Sequence, residues 1–409
     1  MNDFKIKISD IKTTNEDALD LFYSGMRSQE TKRTMGGNLR RFLVDVCQDI
    51  LDGNMKERSK QFVDIARNDQ ERAMQIILAY TKLLKARTTL AKNDKNYLNP
   101  SSVPNRIKPI KKLLDMCGVG LGWKRIYSTY PEEDNIHKGR GYTRDEIKLL
   151  LEHANGLATE FFILAACSGG MRVGAWSNLK WECVFPVYQE NNEYTIESDK
   201  GVIVCAAMVL YKGTREEYIS LISKEAWDKL ELYKKEWTRT SNRKPDNSDF
   251  LLQKFGTSPI TVDAIRKRMF TLIVKSGLRG ILPEGQKRHE VPAIHGFRRF
   301  WDKVMMDATR KSDKLSSLVK KERLLGHDGI VKTDKNYYWT DILDLVSDYM
   351  VAMPDLTIND SERLRVELET EKIKNDQMAL LNYEKDKALL RLDELEAKVV
   401  RMEKYEILG

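Results

Sequence analysis

The sequence predicts a mainly α-helical protein carrying one small antiparallel β-sheet. Three observations predict this. Apolar residues recur at three- and four-residue steps through residues 18–47 and 57–90, the period of an amphipathic helix. The pattern then changes between Tyr194 and Leu221. There the β-branched run Val202-Ile203-Val204, the stretch Ala207 to Tyr211 and the stretch Tyr218 to Leu221 surround the turn Lys212-Gly213-Thr214. Finally, Ser361 to Leu408 reads as one charged helix with an apolar seam.

A chain of 409 residues is too long for one ordinary core, so two or three domains are expected. Charged residues make up 32% of it, and no apolar run approaches membrane-spanning length. The start, Met-Asn-Asp-Phe-Lys, is no signal peptide. A soluble intracellular protein without a membrane partner is expected. Cys47, Cys117, Cys167, Cys183 and Cys205 show no C-x-x-C spacing, so neither a zinc site nor a disulfide framework is indicated. The net charge of +8 is uneven. Residues 1–130 hold 24 basic against 15 acidic side chains, whereas the last fifty residues are net acidic. A basic amino-terminal region suits a polyanion such as DNA; the alternative is a solvated basic surface.

Residues 1–20 carry no clear signal and are read as an extension. From Ala18 to Cys47 the text is helical, with Gly36-Gly37 expected to break it into two helices. Glu57 to Leu90 reads as continuing helix. Pro100 and Pro104 mark a loop, and Ile107 to Cys117 a short helix carrying Lys108, Lys111 and Lys112. Residues 129–142 hold proline, glycine and charge without periodicity, a linker composition. Thr143 then opens a helix, with Glu146 completing a capping box. The helix Phe161 to Cys167 is apolar all round, hence buried, and ends in Ser168-Gly169-Gly170. Ser223 to Trp237 is a helix, and Ser241 to Ser248 a polar loop. Thr261 to Ser276 is a basic amphipathic helix with Arg266 and Arg268, facing either a DNA backbone or solvent. Asp341 to Met353 is amphipathic and should end at Pro354. In the tail, Met378, Leu381, Lys385, Ala388, Leu392, Leu395, Val399 and Met402 form a heptad seam. That seam either pairs with another chain or folds onto its own.

The chemistry concentrates between His295 and Trp339. His295-Gly-Phe-Arg298-Arg299-Phe300 is followed by Leu324-Leu-Gly-His327 and then by Tyr337-Tyr338-Trp339. Guanidinium grips phosphate oxygens in a fork, imidazole moves protons near neutral pH, and a phenol flanked by cations can act as nucleophile. Each piece alone is a common packing or surface feature. Their order, however, resembles the carboxy-terminal signature of tyrosine recombinases, the phage-integrase family. The resemblance extends to Met171-Arg172-Val173-Gly174, similar to that family's first arginine box, and to Lys212-Gly213 on a hairpin turn. It also takes in Gly141-Tyr-Thr-Arg-Asp-Glu and, loosely, Ser28 to Thr31 and Leu39-Arg40-Arg41-Phe42-Leu43. The phrase from Tyr337 through Pro354 to Ile358 resembles archaeal or archaeal-virus integrases. Two positions depart from the family pattern. Ala175 stands where an acid usually supports the first arginine, and Arg299 where a second histidine often follows the box arginine.

The resemblance implies a helical core-binding, DNA-binding domain over residues 21–128, a linker over 129–142 and a catalytic domain over 143–358. A charged helix over 359–409, a candidate coiled coil, lies outside it. It implies a site-specific DNA recombinase acting through a 3′-phosphotyrosyl intermediate. Tyr338 would be the nucleophile, with Tyr337 as the alternative. Arg172 and Arg298 would hold the phosphate, and Lys212 would be the general acid, with Arg215 the runner-up. His295 would assist proton transfer, and His327 would bond the phosphate. Arg40, Arg41, Lys108, Lys111, Lys112, Arg215, Arg266, Arg268 and Arg299 are candidate DNA contacts. The implied partners are double-stranded DNA bearing specific recombination sites and further copies of the chain, expected as a tetramer. Neither metal nor cofactor is expected, there being no P-loop, H-E-x-x-H or acidic cluster. The implied setting is cytoplasmic and nucleoid-associated, of prokaryotic or viral origin. Two alternatives stay open: a type IB topoisomerase-like activity, and a catalytically inactive DNA-binding regulator.

Overall fold

The computed structural model describes residues 17–132, 139–191, 193–253, 258–282, 289–312, 315–327 and 342–406. They fall into two compact units, residues 17–132 with 282 and residues 139–281 with 289–406. The protein is mainly α-helical with one four-stranded antiparallel sheet. Among the described residues, no helix is long and apolar enough to cross a membrane.

The first unit is all-helical. It comprises α1 (Ala18–Ser24), α2 (Gln29–Arg40), α3 (Met55–Asn68), α4 (Gln70–Thr88), α5 (Val103–Met116) and α6 (Trp123–Tyr127). Side chains of Asp17, Ser28, Asn54 and Asp69 accept the otherwise unpaired N–H groups at four helix starts. One apolar face of each helix meets the others over Phe22, Leu39, Phe42, Phe62, Ile77, Tyr80 and Leu113. Three expectations fail here. Pro104 does not mark a loop but sits in the first turn of α5, where its missing N–H would be unpaired anyway. Gly36-Gly37 does not break α2; Gly36 lies against Tyr23, whose ring would collide with any side chain there. The irregularity comes later, as a π-helical turn over Arg41–Val46. Nor is 57–90 one helix: Asp69 leaves helical geometry and caps α4 through Arg72 N, splitting the run.

The second unit begins with α7 (Arg144–Glu152), opened by the expected Thr143–Glu146 capping box. The helix α8 (Leu157–Gly169) is buried on every side, as its composition requires. The sheet follows: β1 (Val184–Glu190), β2 (Glu193–Thr195), β3 (Val202–Leu210) and β4 (Tyr218–Ser223), in the order β2-β1-β3-β4. Strand β1 lies outside the stretch read as strands, and it contains Pro186, which lacks the N–H a ladder needs. It is tolerated since β2 pairs with β1 only over Tyr188, Gln189 and Glu190, leaving that edge open at Pro186. Then come α9 (Lys224–Ser241), α10 (Val262–Lys275), α11 (His295–Ser312), α12 (Leu315–Leu324) and α13 (Ile342–Leu356). Helix α13 does not stop at Pro354 but runs on to Leu356. Tertiary bonds hold this end: Arg144 donates to the Asp355 carbonyl, and Glu225 accepts the N–H groups of Ile358 and Asn359. The core of the unit packs α8 against β4, α9 and α11.

The last helix, α14, spans Asp360–Glu406. On its seam, Met378, Leu381, Leu392 and Leu395 are each more than half exposed. These side chains therefore do not pack against their own chain.

Candidate functional site

Arg298 lies one turn into α11 and is only 6% exposed. Its Nη1 donates to the Gly170 carbonyl at 2.8 Å, and its Nη2 to the Leu325 carbonyl at 2.8 Å. No carboxylate among the described residues forms an ion pair with it. Burial, and then the charge of Arg172, push its pKa below the ordinary arginine value. Arg172 follows the end of α8, is exposed, and donates to the Gly326 carbonyl at 3.2 Å. Two glycines build this cradle. Gly170 ends α8 in left-handed geometry at φ 62, and Gly326 ends α12 at φ 64. A side chain at Gly170 would strike Trp301, and one at Gly326 would strike Tyr218. Each turn aims a helix-end carbonyl, at the negative pole of its helix, toward one guanidinium.

The end of α12 sets a third group. Gly326 N donates to the Arg323 carbonyl at 2.8 Å and His327 N to the Glu322 carbonyl at 3.1 Å, the paired bonds of a Schellman cap. That cap brings the Glu322 and His327 side chains together, with Oε2 and Nδ1 2.5 Å apart. His327 Nε2 meets Arg298 Nη2 at 3.0 Å. Behind Glu322, the buried Lys321 bonds Asp302 at 2.7 Å and Glu322 at 3.1 Å. Burial alone would raise the Glu322 pKa, but its bonds to His327 and Lys321 outweigh that and lower it.

His295 is the first residue of α11, one turn before Arg298, so the two share a face. Partial burial, then Arg299, Arg298 and Arg172, hold its pKa below the ordinary 6.5, which keeps the imidazole neutral near pH 7. Tyr218 on β4 also borders the arginines. Its hydroxyl is buried without a well-formed hydrogen bond, and burial raises its pKa more than the arginine charges lower it.

Lys212 stands on the β3–β4 turn, as expected. The turn forces Tyr211 to φ 54, unusual for an aromatic residue. Lys212 Nζ bonds the Glu182 carboxylate at 3.1 Å. Arg215 is exposed on the same turn. Ala175 is buried in the core, so the Gly326 carbonyl takes the place of an acid beside Arg172. Arg299 is spent internally, donating to the Gly139 carbonyl.

Within the first unit, α2, the π-helical turn after it and α5 carry the other basic candidates. Arg41 and Arg106 both donate to Asn38 Oδ1, at 3.3 and 2.5 Å, and Lys108 bonds Asn105 at 3.3 Å. Arg40 is exposed beside them, Lys112 is half-buried, and Lys111 lies 5.5 Å from the Trp123 ring centroid. On α10, Arg266 and Arg268 face solvent, Arg266 paired with Asp263 at 3.1 Å.

Tyr337 and Tyr338 lie outside the described residues. The structure therefore brings together Arg172, Arg298, His295 and His327, and turns Lys212 toward Glu182. Sequence reasoning missed Glu322, Lys321, Tyr218 and Arg106. Only Glu322 left a signal: it stands five residues before His327, with a glycine between them, the spacing of a Schellman cap.

No family model matches the chain, and no curated protein matches it. Among solved structures it is similar to XerA recombinase, at 16% identity over 81% of this chain and 96% of that one, with a TM-score of 0.32. It is similar also to XerH site-specific recombinase bound to palindromic difH substrate in a post-cleavage complex, at 13% identity over 79% and 93%, TM-score 0.43. A third is a lambda integrase dimer bound to a COC' core site, at 16% identity over 83% and 85%, TM-score 0.38.

Proposed function

We propose that this chain is a site-specific DNA recombinase of the tyrosine type. The observation that carries the reading is the buried Arg298 beside Arg172. Two adjacent guanidiniums are held by carbonyls and, for Arg298, by the His327 ring, with no carboxylate among the described residues to neutralise them. A desolvated cation left so is costly unless an anion completes it, and a phosphodiester has the charge and the oxygens to do so.

In the proposed reaction, Tyr338, or Tyr337 in its place, attacks the scissile phosphorus. The bond to the 5′-oxygen breaks, leaving a 3′-phosphotyrosyl ester and a free 5′-hydroxyl. Arg172 and Arg298 stabilise the charge that builds on the non-bridging oxygens. The neutral His295 accepts the tyrosine proton, and Lys212, released from Glu182, protonates the leaving oxygen. A 5′-hydroxyl from a partner strand reverses the step. The energy of the phosphodiester is kept in the intermediate, so no nucleotide or metal is needed. The basic face of α2 and α5 grips the DNA backbone, and the exposed seam of α14 joins copies of the chain, as a tetramer on DNA.

The test is incubation of the full chain with nicked suicide duplexes carrying candidate sites. A DNA–protein adduct sensitive to protease supports the reading. Binding without any adduct supports an inactive regulator. Supercoil relaxation that needs no paired sites supports a topoisomerase.

A further inference from the structure

Arginine can only donate hydrogen bonds. Its contact with His327 Nε2 at 3.0 Å therefore makes that nitrogen an acceptor. The ring proton must then sit on Nδ1, where it donates to Glu322 Oε2 at 2.5 Å. This is not the form in which His327 can donate Nε2–H to a phosphate. The contact of a Schellman cap between these two positions is commonly apolar. Here it is a carboxylate against an imidazole, and the buried Lys321 holds that carboxylate from behind.

We propose that Glu322 is a positioning residue for His327: it fixes the Nδ1–H form in the free protein and supports the imidazolium once an oxyanion takes Arg298. The incoming oxygen replaces Nε2 as the acceptor of the Arg298 N–H. Nε2 then takes a proton from solvent and donates it to the same anion. Glu322 makes that cation tolerable by continuing to accept Nδ1–H. The charged and titratable groups around the ring are Arg298 on α11, Arg172 after α8, Glu322 and Lys321 on α12, and Tyr218 on β4. Three of these are cations, which oppose a further positive charge, so the single carboxylate decides whether it forms. Asp302 does not balance it in Glu322's place, because its bond is to Lys321.

The role deepens the recombinase reading and rests on it for its purpose, but its test needs no DNA. The full chain would be labelled with ¹⁵N in the histidine rings, and His327 assigned by the signals lost in His327→Gln. The expected pattern is a protonated Nδ1 and an unprotonated Nε2. Glu322→Ala removes the acceptor of Nδ1–H and leaves only the Arg298 N–H to oppose the Nε2–H form usual for free histidine, so the ring should shift part of the way toward that form. Glu322→Gln, which keeps the shape and an acceptor, should retain Nδ1–H even if the alanine variant fails to fold. Sodium sulfate, a tetrahedral oxyanion that does not titrate near pH 7, should protonate Nε2 in the unaltered chain and not in Glu322→Gln. An unchanged pattern in folded Glu322→Ala overturns the proposal. So does saturating sulfate that leaves Nε2 unprotonated, or protonates it equally in both proteins. Were the chain to form no DNA adduct while these spectra came out as expected, the recombinase reading would fail and the positioning role would stand.

Discussion

Arg298 has two duties at the residue scale. It holds the carbonyls of Gly170 and Leu325 and leaves its charge for an anion. Arg298→Ala should lower single-turnover cleavage by about 10²- to 10³-fold, the usual loss when a donor to a developing oxyanion is removed. It should also lower stability by about 1–3 kcal/mol, because two buried carbonyls lose a partner, measurable by thermal unfolding. Arg298→Lys should rescue little, since an ammonium cannot span both carbonyls and the anion in a planar fork. His295 predicts a pH effect of definite sign. Its folded pKa is depressed, so the unfolded chain binds the proton more readily. Neutral His295 therefore takes stability away as pH falls through 6.5, and contributes no such penalty above it. As a base it should stay competent below 6.5, so the acid limb of the cleavage profile should lie under that value and move in His295→Gln. Lys212 has a chemical test. Lys212→Ala should slow cleavage of ordinary DNA sharply yet largely spare a substrate with a 5′-bridging sulfur, whose leaving group needs little protonation. Equal defects on both substrates would move the general acid to Arg215 or elsewhere.

Elements whose signals were local were legible in the sequence. The Thr143–Glu146 box, the glycine end of α8 and the apolar all-round α8 each depend on a few neighbouring residues. Errors fell where distant contacts override local preference. Gly36 stays helical because Tyr23 needs the space, and Pro186 sits in a strand because the sheet edge is open there. Pro354 stays in α13 because Arg144 and Glu225 hold its far end. The site divides the same way. Arg172, His295, Arg298 and His327 were legible as residues, but Glu322 required the α12 cap that sets it against His327. The tail offers an element-scale prediction. Deleting residues 361–409 should lower the oligomer order on DNA more than it lowers binding to a single site, because Met378, Leu381, Leu392 and Leu395 on the α14 seam are each more than half exposed. An unchanged sedimentation profile would count against self-association through this helix.

For the molecule as a whole, the division of labour is between an all-helical basic unit and a unit that assembles the arginine pair on helix ends. Chemistry of this kind draws its charge from side chains, so EDTA should leave cleavage nearly unchanged; complete loss restored by Mg²⁺ would contradict it. The most direct measurement is the identity of the residue bound to DNA in a trapped suicide-substrate adduct, read by mass spectrometry of the protease-released peptide. The expected result is a phosphodiester on Tyr338, absent in Tyr338→Phe although DNA binding persists, with Tyr337 as the only substitute the proposed reaction admits. An adduct on a peptide lacking both tyrosines, or strand cleavage with no adduct in either protein, would contradict a tyrosine recombinase.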